Sequence, residues 1–208
     1  MNRAINTFKL NIISVKQLDI VYQYLDVNNV KTLDLSELLR AQIVLAVSAL
    51  DTLISDILQI GLVKAFEEKK SLSTNDFSKY KIEIEILNQI ISAVSMSDKS
   101  LILGEHIRNI NSKSPYQDPK QVVSALRLIG LTDIWRKLAI EMSFNNPDDI
   151  KNELANIVWQ RHKIAHEADI DYVTQQKRVR DRDTTKEAVE FIEKISEAIY
   201  TISVNELN

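Results

Sequence analysis

The run Leu39-Arg40-Ala41-Gln42-Ile43-Val44-Leu45-Ala46-Val47-Ser48-Ala49-Leu50-Asp51 is apolar nearly all round when wound as a helix. A helix with no polar face of its own belongs at the centre of a protein, enclosed by other elements. Asp34 or Ser36 supplies an N-cap, with Glu37 close behind, so a long helix is expected over 35–69. Its most apolar part, 41–50, is interrupted by Gln42 and Ser48 and bounded by Arg40 and Asp51. It reads as too short and too polar to span a bilayer.

Outward from this segment the chain reads as helix after helix. Residues 2–25 place Ile5, Phe8, Ile12, Val15, Leu18, Ile20 and Val21 at spacings near three and four, the mark of an amphipathic helix. A polar break follows at 26–29, and 71–78 reads as a loop. Over 80–94 Ile82, Ile84 and Ile86 alternate as in a strand, but Leu87, Ile90, Ile91 and Val94 favour a helix, which is the prediction. Asp98 is expected to cap a helix reaching 110, and the two prolines of 111–119 imply a loop. Asp118-Pro119 opens a helix with proline in its first turn, and Gly130 stops it as a C-cap. Thr132-Asp133 restarts the chain, with Ile134, Trp135, Leu138 and Ile140 as the buried line. Asn146-Pro147-Asp148-Asp149 ends one helix and begins the next, with acids at its positive end. Residues 169–185 are polar and irregular. The last helix, 186–204, buries Ala188, Val189, Ile192, Ile195, Ile199 and Ile202. The expected fold class is all-α, a bundle with short connections in one domain spanning 1–208.

Composition narrows the function classes. Hydrophobic residues make up 45% and charged residues 26%, enough for a packed core. Three glycines and three prolines are too few for the turns of a barrel or sandwich. The absence of cysteine excludes disulfides, thiolate zinc sites and cysteine nucleophiles. The start of the chain lacks the apolar run of a signal peptide, so a soluble cytoplasmic protein without membrane contact is expected. A net charge of −3 gives no global pull toward nucleic acid, so any RNA affinity must come from a local patch.

Two of the three histidines fall in Trp159-Gln160-Arg161-His162-Lys163-Ile164-Ala165-His166-Glu167. Histidine moves protons near neutral pH, and arginine holds a phosphate as its charge grows; together they suffice to cut RNA without a metal. Ile150, Leu154, Ile157, Arg161 and Ile164 share one line of a helix, so Arg161 stands where an apolar residue is expected and needs a partner. In an unbroken helix Arg161 and His166 point about 140° apart. Either the helix ends or bends near Ala165, or the two groups meet across a two-fold axis. On the central helix Arg40, Val44, Ser48, Asp51 and Ser55 form a mostly polar stripe. Asp51 is the residue expected to orient a histidine or pair with Arg161.

The run from Leu39 to Asp51 and the run Arg161-His162-Lys163-Ile164-Ala165-His166-Glu167-Ala168-Asp169 resemble the HEPN superfamily. They are most similar to its branch associated with ribosomal L-PSP-type endoribonuclease genes. The step Ile134-Trp135-Arg136-Lys137 fits the same branch, and the resemblance extends over most of the chain. The signature of the superfamily is arginine, a polar residue and then histidine, with four to six residues between the two ends. Arg161, His162 and His166 match it at the four-residue spacing. The resemblance implies a HEPN-like helical bundle with extra helices that forms a homodimer, its two motifs facing across a cleft. It also implies a metal-independent endoribonuclease acting on RNA, although some members serve only as interaction modules.

The implied chemistry gives Arg161 and His166 the catalytic roles. His166 exchanges a proton with the ribose 2′-hydroxyl or the departing 5′-oxygen, leaving a 2′,3′-cyclic phosphate, while Arg161 stabilises the charge at phosphorus. His162, Asp51, Ser48 and Glu167 are supporting candidates. Lys163, Lys177, Arg178 and Arg180 are candidates to grip the RNA backbone. No cofactor or metal is expected, and a toxin or antiviral-defence role with an inhibitory partner protein is a natural setting. Competing readings exist for each feature. Arg161 and His166 could merely cap a helix and pair with Glu167 or Asp169. His162 and His166, one turn apart, have a metal-ligand spacing that Glu167 and Asp169 could complete. The Arg40–Ser55 stripe could be a solvated face, and Lys177–Arg182 a solvated loop. His106 reads as lacking a chemical role, and Trp135 and Trp159 as core anchors. The alternative function is a non-catalytic helical adaptor that binds a neighbouring protein.

Overall fold

The computed structural model describes residues 1–28, 30, 34–68 and 80–207. Among them are eight helices and no strand beyond an isolated antiparallel bridge between Ile170 and Lys177, so the fold is all-α. Helix α2 (Ser36–Glu67) is the hub. Leu39, Ile43, Val47, Leu50, Leu53, Ile54, Ile57 and Leu58 are all buried, and each such side chain contributes roughly 1.5–3 kcal/mol. Around it pack α1 (Asn2–Val27), α4 (Met96–Asn111), α5 (Pro119–Leu128), α7 (Pro147–Glu167) and α8 (Arg182–Leu207). The short α3 (Ile84–Ser92) lies on α4, and α6 (Ile134–Glu141) packs on α7 and α8. An added Cβ at Gly61 of α2 would lie 2.6 Å from Ile129 Cγ2, so glycine is what lets α2 meet the end of α5.

Taken over its full length, α2 is long and apolar enough to cross a membrane, with a mean hydropathy of 1.8 in its best window. The stretch 41–50 is only part of this helix. In the fold 50% of that window is buried inside the bundle.

Local signals set several helix ends. Asp118 and Gln121 close a capping box with Pro119 in the first turn of α5, and Gly130 follows that helix at φ 90°. The N-cap of α2 is Leu35, without a side-chain cap, in place of the expected Asp34 or Ser36; Asp34 accepts from Ser36 N–H at 3.1 Å beside it. Other expectations need correction. Ser95, and not Asp98, caps α4: its hydroxyl accepts from Asp98 N–H at 3.0 Å and donates to the Asp98 carboxylate at 2.6 Å. Ile140 is 73% exposed, because the eight-residue α6 buries only Ile134, Leu138 and Ala139. Ile20 and Val21 are also exposed; α1 buries residues only from Ala4 to Val15, and its last turns run past the core. The final helix begins at Arg182, four residues before the predicted start, because Asp181 accepts from Thr184 N–H at 2.9 Å. The predicted loop at 71–78 lies outside the described residues.

Candidate active site on the seventh helix

Asn146 caps α7 by accepting from Asp148 N–H at 3.0 Å, with Pro147 in the first turn. Ile150, Leu154 and Ile157 are buried, and Arg161 and Ile164 extend the same line half-buried. The helix runs unbroken to Glu167, and only then do Ala168 (φ 51°) and Asp169 (φ 57°) turn the chain. The bend near Ala165 that could have united Arg161 with His166 does not occur. The two side chains leave α7 about 140° apart.

Arg161 faces a cleft of about 450 Å³ between α2, α4, the loop after α4, and α7. Asp51, Ser55, Asp56, Arg108 and Lys113 share its walls. The Nε of Arg161 is fully enclosed and has no hydrogen-bond partner among the described residues. Burial pushes the Asp56 carboxyl above its ordinary value, against the pull of Arg108 and Arg3. Among the described residues Asp51 forms no ion pair with Arg161. Its carboxylate accepts from Tyr116 N–H at 2.6 Å and from Gln117 Nε2 at 3.3 Å, so it fastens the loop between α4 and α5. Ser48 is exposed and lines a separate groove with Asn11 and Ser14 of α1. The polar stripe on α2 therefore serves three surroundings, and only Asp51 and Ser55 of it reach the cleft of Arg161.

The histidines stand on the other side of α7. His162 and His166 are exposed, with ring centroids 4.7 Å apart and ring planes tilted by 43°. Lys163 Nζ donates to both oxygens of Glu167, at 2.6 and 2.8 Å, and this bond, with a smaller pull from His162, holds the Glu167 carboxyl below its ordinary value. Among the described residues no three His, Asp or Glu side chains gather as a metal-holding group. His106 is buried, with its Nε2 lacking a hydrogen-bond partner among the described residues. Trp135 is half-buried, but Trp159 is 49% exposed and not the core anchor expected. The ammonium of Lys163 lies 5.6 Å from the centre of its ring and the guanidinium of Arg178 lies 5.7 Å from it.

The basic run after α7 is mostly engaged inside the chain. Asp169 is fully buried and accepts from Arg180 Nε and Nη2, both at 2.7 Å, and from Arg40 Nε at 2.9 Å. Burial pushes its carboxyl up, but the bonds and charges of Arg180 and Arg40 outweigh that and hold it below the ordinary value. Arg180 also donates to Gln160 at 2.5 Å, and Arg178 donates to Ile170 O at 3.1 Å. Lys177 pairs with Glu37. Lys177 thus ties the segment after α7 to α2, while Arg178 and Arg180 bond within that segment and to Gln160, and buried Asp169 gathers Arg180 and Arg40 around it.

Two features of this region escape a reading of the motif alone. The Asp169 hub joins residues from Arg40 to Arg180, and no local pattern links them. Trp159 could have been found: it shares helical spacing with His162, Lys163 and His166. No curated protein and no solved structure matches this chain. A family model described as RiboL-PSP-HEPN matches residues 9–205, from α1 into α8. With the helical bundle and the arginine–histidine helix in place, the chain belongs to the RiboL-PSP-HEPN family.

Proposed function

We propose that the protein is a metal-independent endoribonuclease that needs no cofactor and acts as a homodimer. The observation that carries this reading is the division of α7. An arginine whose Nε has no hydrogen-bond partner among the described residues faces a polar cleft, and two exposed histidines leave the helix about 100° and 140° around from it. Family membership supports an RNA-related or defence function. Leaving α7 about 140° apart, the two groups do not easily meet on one phosphate within one chain, whereas a two-fold pairing would set His166 of one protomer against the partner's Arg161. A histidine takes the proton of the 2′-hydroxyl, the 2′-oxygen bonds to phosphorus, and the bond to the 5′-oxygen breaks as a second histidine protonates it. The guanidinium stabilises the charge that grows on the phosphoryl oxygens. The products are a 2′,3′-cyclic phosphate and a 5′-hydroxyl, and DNA, lacking the attacking group, is left intact. Such an activity suits a toxin or an antiviral-defence component restrained by a partner protein.

The test uses purified full-length protein and RNA in EDTA. His166→Ala and Arg161→Met should each lose roughly 10²–10⁴-fold in cleavage while remaining folded. Mixing the two inactive variants should restore activity, because a mixed dimer regains one complete site. Cleavage at the wild-type rate by the doubly substituted protein sinks the nuclease reading. A lack of recovery in dimers shown to exchange sinks the composite site. The engagement of Lys177, Arg178 and Arg180 within the chain, on a protein of net charge −3, favours the adaptor as the second reading. It predicts no cleavage, and loss of a protein partner when the same residues are changed.

A further inference from the structure

We propose that Trp159 is a stacking platform that seats one nucleobase of single-stranded RNA beside the two histidines. This rests on the RNA-cleaving reading above and adds how the substrate is held. Trp159, His162, Lys163 and His166 fall at i, i+3, i+4 and i+7 of the unbroken α7, which places them on one face. From Trp159 to His166 is about 10 Å along the axis, the scale of roughly one to two nucleotides. A base on the indole therefore brings its own phosphate, or the next, alongside His162 and His166.

The indole is half open, at 49% exposed, and it is held in place before any ligand arrives. Lys163 reaches it from the next turn and Arg178 from the segment after α7, both within cation–π range. Each cation is itself fixed: Lys163 by Glu167, and Arg178 by Ile170 O and by Asp171 at 3.4 Å. Ala155 and Asn156, one turn earlier, are exposed and small, so the side of the ring toward the start of the helix is not walled in. A half-exposed indole with two cations over its ring suits a base joined to phosphates, with stacking for the one and charge for the other.

The experiment measures binding of a short 2′-O-methyl oligoribonucleotide, which the proposed reaction cannot cut, to the full-length protein by fluorescence anisotropy. Trp159→Leu should weaken binding roughly 5- to 150-fold, the loss of one base–aromatic stack, while Trp159→Phe keeps most of the affinity. In a Trp135→Phe background the emission of Trp159 should be quenched by the oligonucleotide. One abasic replacement in the oligonucleotide should remove that quenching. Wild-type binding by Trp159→Leu, or unchanged emission on binding, overturns the proposal. So does a change in sedimentation of Trp159→Leu with RNA affinity per dimer unchanged, which assigns the indole to contact between copies. If the protein cleaves RNA but binding ignores Trp159, the platform alone falls. If Trp159-dependent binding occurs without cleavage, the nuclease reading alone falls.

Discussion

Replacing Asp169 by asparagine removes the negative charge from the most enclosed ionic group of the fold. The carboxylate is 0% exposed, and the side chains of Arg40 and Arg180 are 5% and 9% exposed. Asp169 has φ 57°, a left-handed conformation that asparagine adopts as readily as aspartate, so the change spares the backbone. Two enclosed guanidinium groups then face an amide with one accepting oxygen in place of two. Breaking a buried pair costs about 3–5 kcal/mol. The retained acceptor puts the expected loss at the lower end, about 3 kcal/mol, a large share of the roughly 5–15 kcal/mol that holds a domain folded. At this chain length that is a fall in Tm of roughly 6–12 °C. Urea unfolding followed by circular dichroism measures it, with the slope against urea unchanged. The pH dependence supplies a second reading. A carboxyl held below its ordinary 3.8 gives stability that is fully present above that value and is lost as pH falls through the folded-state pKa. The gap between wild type and Asp169→Asn should stay level from neutrality down to about pH 5 and close in stronger acid. Asp19, Asp171 and Asp181 are depressed in both proteins and cancel in the difference. A gap under about 1 kcal/mol at neutral pH, or one that persists unchanged in strong acid, refutes the reasoning.

Asp51→Ala should destabilise by about 2 kcal/mol, since the partly enclosed Tyr116 N–H and Gln117 amide lose their acceptor. RNA cleavage per folded molecule should not change; a shift in its pH profile would instead mean that Asp51 acts on a histidine or on Arg161. Gly61→Ala should cost about 1–3 kcal/mol through the 2.6 Å approach to Ile129, and shortening that side chain with Ile129→Ala should recover part of the loss in a double-mutant cycle.

Features that depend on near neighbours in the chain were open to a reading of the sequence. The apolar circumference of α2, the capping box of α5 and the Ile150–Leu154–Ile157–Arg161 line of α7 each rest on residues within a few turns of one another. Hydrogen-bond geometry and helical period act at that range, so pattern alone located them. The same periodicity separated Arg161 from His166 on α7, and the unbroken helix bears this out. The uses of charge were not legible in this way. Asp51 looked like a partner for the motif, but it binds the backbone of a loop more than sixty residues away. Arg180 looked free for RNA, but an aspartate buried by the fold draws it inward together with Arg40.

Sequence by itself determined that this protein is a helical bundle around one apolar helix, and left open whether a bend near Ala165 unites its arginine and histidine. Tertiary structure decided which cations are spent on the fold, which face of α7 stays open, and that Arg161 looks into a cleft without an ion-pair partner there. The physical reason is that backbone geometry is settled over one or two turns. A charge or an indole is assigned its environment only when distant segments close around it or leave it bare.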